Sequence, residues 1–273
     1  MEVIFLSSDC WEYYNHSAVC KYAPHREADT DAIKNNTIWN LDGKKPLLVC
    51  YTTDFDCKEE TQWWYTILDH PFDISAIKAK HRYQINRGIK NFSVKQIDFE
   101  SYADKMNYIL NYVREKCYGF NAVELKKSGK NAVYLGAFEA ENPENLIGYA
   151  ILQEHREYVH FTSLKVLPEY ERDCANAALV YAITQRYADK LSKDFYISNG
   201  TRTVNHETKF NDYLIRIFEF RKAYCKLNII YRKGFGAAVK VLSPFLPLIE
   251  RLSHKISPLR PVSGILKMDK YSR

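Results

Sequence analysis

Apolar residues return at helical spacing in two stretches of the chain and at strand spacing in much of the rest. Tyr102, Met106, Ile109, Leu110 and Val113 predict a surface helix over residues 102–117, and Ala178, Leu179, Ala182, Ile183 and Tyr187 put an apolar stripe on a helix over 175–191. Residues 131–140 and 146–154 are apolar runs on either side of 141–145 (ENPEN), whose Asn and Pro predict a hairpin turn. Residues 158–166 alternate and extend the same antiparallel sheet until Pro168 stops the strand. Upstream, 92–97 reads as a strand; downstream come a strand over 194–198, a helix over 210–218 and a strand over 222–232. The order β-α-β-β-β-α-β-α-β predicts a mixed α/β fold. It excludes a Rossmann arrangement, because three strands follow one another with no helical crossover.

On either side of this block the pattern changes. Residues 45–53 (KPLLVCYTT) form a β-rich apolar run and 61–69 (TQWWYTILD) an aromatic one, which together predict an N-terminal α+β portion over 1–90. Residues 74–97 carry Lys78, Lys80, Arg82, Arg87, Lys90 and Lys95 with no acid, and Gly88 reads as the end of a helix before the strand at 92. A charge run of this kind is a solvated helix face or a site for a phosphate-bearing ligand. After residue 232 the chain gathers Pro244, Pro247, Pro258 and Pro261, so 233–273 reads as a separate tail beyond a central domain over 91–232. In that tail Ala238, Leu242, Phe245, Ile249, Leu252, Ile256 and Leu259 form a stripe with Lys240, Arg251 and Lys255 away from it. Such a stripe suits a membrane-surface helix, or kinked helices packed on the domain or on a partner subunit in a homodimer.

At 273 residues the chain has ample material for a buried core, and an aromatic share of 14% argues against disorder. The net charge of +6 has an address: residues 232–273 hold nine Lys or Arg against Glu250 and Asp269, and the remainder is nearly neutral. No nucleic-acid module accompanies that charge. Seven scattered cysteines without a C-x-x-C pair make a disulfide framework or a metal site unexpected and point to a reducing, cytoplasmic setting. The first residues lack the pattern of a signal peptide, and no apolar run approaches the ~18 residues of a membrane span.

Three words on this framework carry a resemblance. The end of the third consecutive strand reads S-L-K-V-L-P-E-Y, with Leu164, Val166, Pro168 and Tyr170, and is followed by Arg172-Asp173-Cys174-Ala175-Asn176-Ala177 at a helix start. Phe218-Glu219-Phe220-Arg221 then closes the next helix. With the strand order, these words resemble the GNAT acyltransferase superfamily over about residues 92–232. The resemblance implies a mostly antiparallel central sheet flanked by helices, with a partial N-terminal unit and a C-terminal helical tail. It implies acyl-CoA or acetyl-CoA as co-substrate, its pyrophosphate held by Arg172, Asp173, Cys174, Ala175, Asn176 and Ala177, and an oxyanion contact from the strand end at Leu164, Lys165 and Val166. Both glycines of the family loop are alanine here, Glu219 replaces the glycine of the closing motif, and Ile215 stands where an acid Tyr is common, which leaves Tyr213 as the acid candidate.

The chemistry behind the loop is a helix N-terminus whose N–H groups, unblocked by large side chains, bind phosphate; the same residues also suit plain helix capping by Asp173 and Asn176. Candidate bases are Glu139, Glu154 and His160, which read equally as two solvated strand-end charges and one structural histidine. Cys174, at a helix start, is expected to have a depressed pKa or to be a small packing residue. A second resemblance, carried by Thr61-Gln62-Trp63-Trp64 and by 80–88 (KHRYQINRG), is to Fem-type peptidoglycan bridge transferases and relatives in exopolysaccharide loci. Those have two GNAT-like units, and the first 90 residues are short for a complete one. The expected activity is acyl transfer to the amine of a small acceptor such as an amino sugar or nucleotide sugar; the alternatives are aminoacyl transfer from tRNA, the one case involving nucleic acid, and a silent scaffold at the inner face of the membrane.

Overall fold

The computed structural model describes residues 10–119, 121–204, 209–253 and 255–273. In chain order the elements are β1 (Trp11–Tyr14), β2 (Ser17–Cys20), α1 (Asp31–Lys34), β3 (Leu48–Thr53), β4 (Trp63–Leu68), α2 (Ala79–Asn91), β5 (Phe92–Gln96), α3 (Phe99–Tyr118), β6 (Ala132–Glu139), β7 (Leu146–Glu154) and β8 (Tyr158–Val166). They continue with α4 (Ala175–Arg186), β9 (Tyr196–Thr201), α5 (Lys209–Phe218), β10 (Arg221–Tyr231), α6 (Phe235–Leu242), α7 (Leu246–Ser253) and α8 (Leu259–Tyr271). The fold is mixed α/β, with mostly antiparallel strand pairs flanked by helices.

The chain forms two compact units. One holds Met1–Tyr65, Thr201–Lys209 and Lys222–Arg273; the other holds Thr66–Gly200 and Phe210–Arg221. These units divide the chain differently from boundaries at 90 and 232, since the first is assembled from three separate stretches.

In the second unit β5, β6, β7 and β8 are joined antiparallel in sequence order, and β9 adds to β8 in parallel. The apolar runs 132–139 and 146–154 are continuous because both faces of these strands are covered. Tyr134, Tyr149 and Ile151 pack with Phe99, Met106 and Ile109 of α3 on one face. Val133, Leu135, Ala150 and Leu152 pack with Ile85, Ala178, Ile183 and Ile217 of α2, α4 and α5 on the other. The 102–117 stripe extends to Phe99 because Asp98 caps α3, its carboxylate accepting from the Ser101 N–H at 2.9 Å, while Gly119 at φ 62° closes it. Gly88 does not end α2, which runs through it to Asn91. Its missing side chain serves packing instead: a Cβ there would lie 2.5 Å from the Cys174 carbonyl oxygen and 3.0 Å from the Ala178 nitrogen.

In the first unit β1 and β2 form a tight hairpin through Asn15 and His16, both at positive φ. β2 pairs with β3 in parallel and β3 with β10 antiparallel. All four tryptophans, Trp11, Trp39, Trp63 and Trp64, belong to this unit. The Arg202 guanidinium lies between two of its rings, 4.3 Å from the centre of Trp64 and 3.9 Å from that of Tyr271. The proline-rich tail folds as α6, α7 and α8 around buried Val239, Ile249 and Leu266, so the stripe is broken into short helices as Pro244 and Pro247 require. The described cysteines are free thiols, with the Sγ atoms of Cys10 and Cys20 at 3.4 Å across the hairpin.

Candidate functional site

β8 and β9 are paired only at Tyr158 with Tyr196, Val159 with Ile197 and His160 with Ser198. From Phe161 to Val166 β8 continues along β7 while β9 no longer follows it. Its backbone groups on that side are therefore left unpaired by a neighbouring strand at the point where the register also shifts, between Ile151 and Leu152 of β7, so that Thr162 is the extra residue. Two parallel strands diverging beside a bulge make an opening into the sheet.

The opening is lined by a polar row. The register puts Lys165 opposite Tyr149, Ser163 opposite Ile151 and His160 opposite Gln153, all on the face that α3 covers. Burial, with the charge of nearby His155, lowers the pKa of His160, so its imidazole is neutral near pH 7. Burial and the Arg114 guanidinium likewise lower that of Lys165. Burial pushes the Tyr149 phenol up to about 12. Gly200 of β9, at φ 81°, passes so close that a Cβ would stand 3.3 Å from His160 Cε1. Tyr149 and Ser163 were not singled out from the sequence; the signal was the pairing register, which alternation alone does not reveal.

Beyond the strand end, Pro168–Tyr170 forms a single 3-10 turn and α4 begins at Ala175, with Cys174 at its cap position. Cys174 stands at φ 68° and gives α4 no side-chain cap. The left-handed residue is thus Cys174, one place before Ala175, and Glu219 at φ 58° stands likewise where the closing motif of the resembled family has glycine. Asp173 and Cys174 already donate their N–H groups to Tyr170 and Glu171 at 3.2 and 3.1 Å. The N–H groups of Ala175 and Asn176 open the first turn, where the helix dipole favours an anion. Asp173 does not cap the helix; its carboxylate bonds Arg87 of α2 at 2.5 Å, which neutralises the acidic side chain next to the cap position. Burial raises the Cys174 thiol despite Arg87, so the expected depression does not occur. Leu164 and Val166 pack into the core on the α4 side, and Tyr213 packs against the same core with its phenol raised by burial and by Cys174. These residues fit one phosphate of a CoA-like arm at the α4 start, with Arg172 exposed beside it.

The structure thus brings His160, Leu164, Lys165, Val166 and the start of α4 to one opening, with Tyr213 beside Cys174. It leaves Glu139 and Glu154 elsewhere. Glu139 accepts from Asn145 Nδ2 at 2.6 Å and braces the β6–β7 turn. Glu154 lies at the opposite end of β7 and accepts from the Tyr187 hydroxyl at 2.6 Å. Among the described residues no group of His, Cys, Asp and Glu is placed to hold a metal ion, and no helix is long and apolar enough to cross a membrane.

No protein-family model and no curated protein matches the sequence. Solved structures do. FemX superimposes with a TM-score of 0.54 at 8% identity, covering 88% of this chain and 85% of that one. The C-terminal domain of a putative lysylphosphatidylglycerol synthetase from Agrobacterium fabrum gives 0.52 at 9% identity, covering 85% and 84%. L-PGS from Bacillus licheniformis gives 0.50 at 13% identity, covering 90% and 85%. Likeness at this identity concerns the fold, and it spans nearly the whole of each chain: the protein has a GNAT-like fold.

Proposed function

We propose that the chain is a transferase that moves an acyl group from acyl-CoA to the amine of a small acceptor, an amino sugar or nucleotide sugar destined for a surface polysaccharide. The observation that carries this reading is the opening where β9 leaves β8, with the uncapped start of α4 at its end. A thioester supplies a reactive acyl carbon. His160, neutral through burial, accepts the proton that the amine nitrogen loses as it bonds to that carbon. The β8 N–H groups past His160 offer hydrogen bonds to the developing oxyanion. Tyr213, which keeps its proton because its pKa is raised, gives it to the sulfur as the carbon–sulfur bond breaks. Ala175 and Asn176 hold a phosphate through their N–H groups, with Arg172 beside them.

The test is thermal unfolding with CoA and acetyl-CoA. Ligand at a hundred times its dissociation constant adds about 2.7 kcal/mol of stability, and the melting temperature rises by several degrees. No shift at millimolar CoA overturns the acyl-CoA donor. One observation favours a second donor: Lys78, Lys80 and Lys90 stand exposed on or beside α2, a basic face suited to the polyanionic carrier of an aminoacyl ester. In that case tRNA, and not CoA, shifts the transition.

A further inference from the structure

Large apolar side chains are exposed singly over most of the described surface, at Tyr14, Tyr83, Ile89, Tyr108 and Val123. Between residues 241 and 256 they are concentrated: Val241 is 68% exposed, Phe245 54%, Leu248 56% and Ile256 45%, with Leu242 and Leu252 beside them. These residues belong to α6, the turn after it, α7 and the residues just beyond it. The opposite sides of both helices are already used, since Val239 and Ile249 are buried against Leu266 of α8. The outer face therefore has no packing role within this unit. Exposed apolar side chains concentrated in this way mark a docking site.

The charges around it are sorted. Both acids of the tail are paired within it: Glu250, though half-exposed, takes Lys267 at 2.6 Å, and buried Asp269 accepts from the Tyr231 hydroxyl at 2.8 Å and from Arg273. Lys240, Arg251 and Lys255, interleaved with the apolar residues along the chain, are exposed. Apolar residues interleaved with cations, with both nearby acids already paired, complement a surface that is apolar beneath and negative at its boundary. A second copy of the same face would set these cations against their equals, which disfavours a symmetric dimer through it.

We propose that α6 and α7 dock this protein onto an anionic lipid bilayer, with Val241, Phe245, Leu248 and Ile256 entering the headgroup boundary and Lys240, Arg251 and Lys255 meeting lipid phosphates. The inference is independent of the transfer reading and of the donor.

The experiment is co-sedimentation of the full chain with vesicles of phosphatidylcholine, with and without phosphatidylglycerol. The protein pellets with the anionic vesicles, and less so as salt is raised. Changing Lys240, Arg251 and Lys255 together to Gln weakens binding by about a hundredfold, at roughly fivefold per cation. Phe245→Gln with Leu248→Gln abolishes it. Because all five side chains are exposed, the melting temperature stays where it was, which separates lost docking from lost folding. Protein that stays in the supernatant with both vesicle types overturns the proposal, as does pelleting that the Phe245 and Leu248 changes leave intact. So does a dimer that forms without vesicles and dissociates on those same changes.

Discussion

Two helices of the second unit are entered from strands of one sheet, and they treat their first turns in opposite ways. At the start of α3 the Asp98 carboxylate accepts from both the N–H and the hydroxyl of Ser101, at 2.9 and 3.0 Å. The helix satisfies itself and carries its own negative charge where the dipole is positive. At the start of α4 the cap position is a cysteine in left-handed backbone with no side-chain cap bond, and the nearest carboxylate is turned away to Arg87. One helix start is finished; the other is left to be completed by something else. The difference separates a structural element from a candidate binding element with the same polypeptide chemistry.

The comparison can be broken most severely at Gly88. A methyl there meets the Cys174 carbonyl, which is backbone and cannot rotate aside, so Gly88→Ala forces α2 from α4. The expected cost is about 3 kcal/mol, at the upper end of overpacking, read as a lower melting temperature; an unchanged transition refutes this account of the contact. Next comes an exchange of character between the two starts. Cys174→Asp sets a carboxylate beside the open first turn of α4, and weakens any CoA binding by about tenfold, measured by the ligand-induced thermal shift. The smallest effect is the reverse change. Asp98→Ala lowers the melting temperature by less than Gly88→Ala and leaves CoA binding unaltered. Its pH signature is distinctive: hydrogen bonds from Ser101 hold the Asp98 carboxyl below its ordinary value. Its contribution is therefore complete above the unfolded value of about 3.9 and is lost as pH falls through the lowered folded value, so wild type and Asp98→Ala converge in acid.

How much of this was readable from sequence depends on whether the cause is local. Strands over 146–154 and 158–166 coincide with β7 and β8, and the ENPEN turn joins β6 to β7, because a hairpin needs only its own residues. The helix start at 175 was legible from small residues and periodicity. Gly88 misled because a helix-ending glycine and a glycine under a crossing helix look alike, and the partner that decides between them is Cys174, far along the chain. The left-handed backbone at Cys174 was invisible for the same reason: no residue type announces it when glycine is absent. Glu139 and Glu154 stood at strand ends as base candidates, yet their partners Asn145 and Tyr187 are fixed by turn geometry and by the seating of α4. The first unit was least legible, since β3 takes as neighbours a strand near residue 18 and another near residue 228. The hairpin of β1 and β2, closed by Asn15 and His16, carried no glycine to mark it.

The placement of every tryptophan in the first unit has a practical consequence for optical work. Indole emission reports on that unit alone, with Trp64 stacked beside the Arg202 guanidinium, while tyrosine and far-ultraviolet signals draw on the helices and strands of both. Denaturation followed at the two kinds of wavelength therefore contains its own internal control. Coincident curves show a single cooperative transition for a chain that passes four times between its two units, and separated curves show which half lets go first.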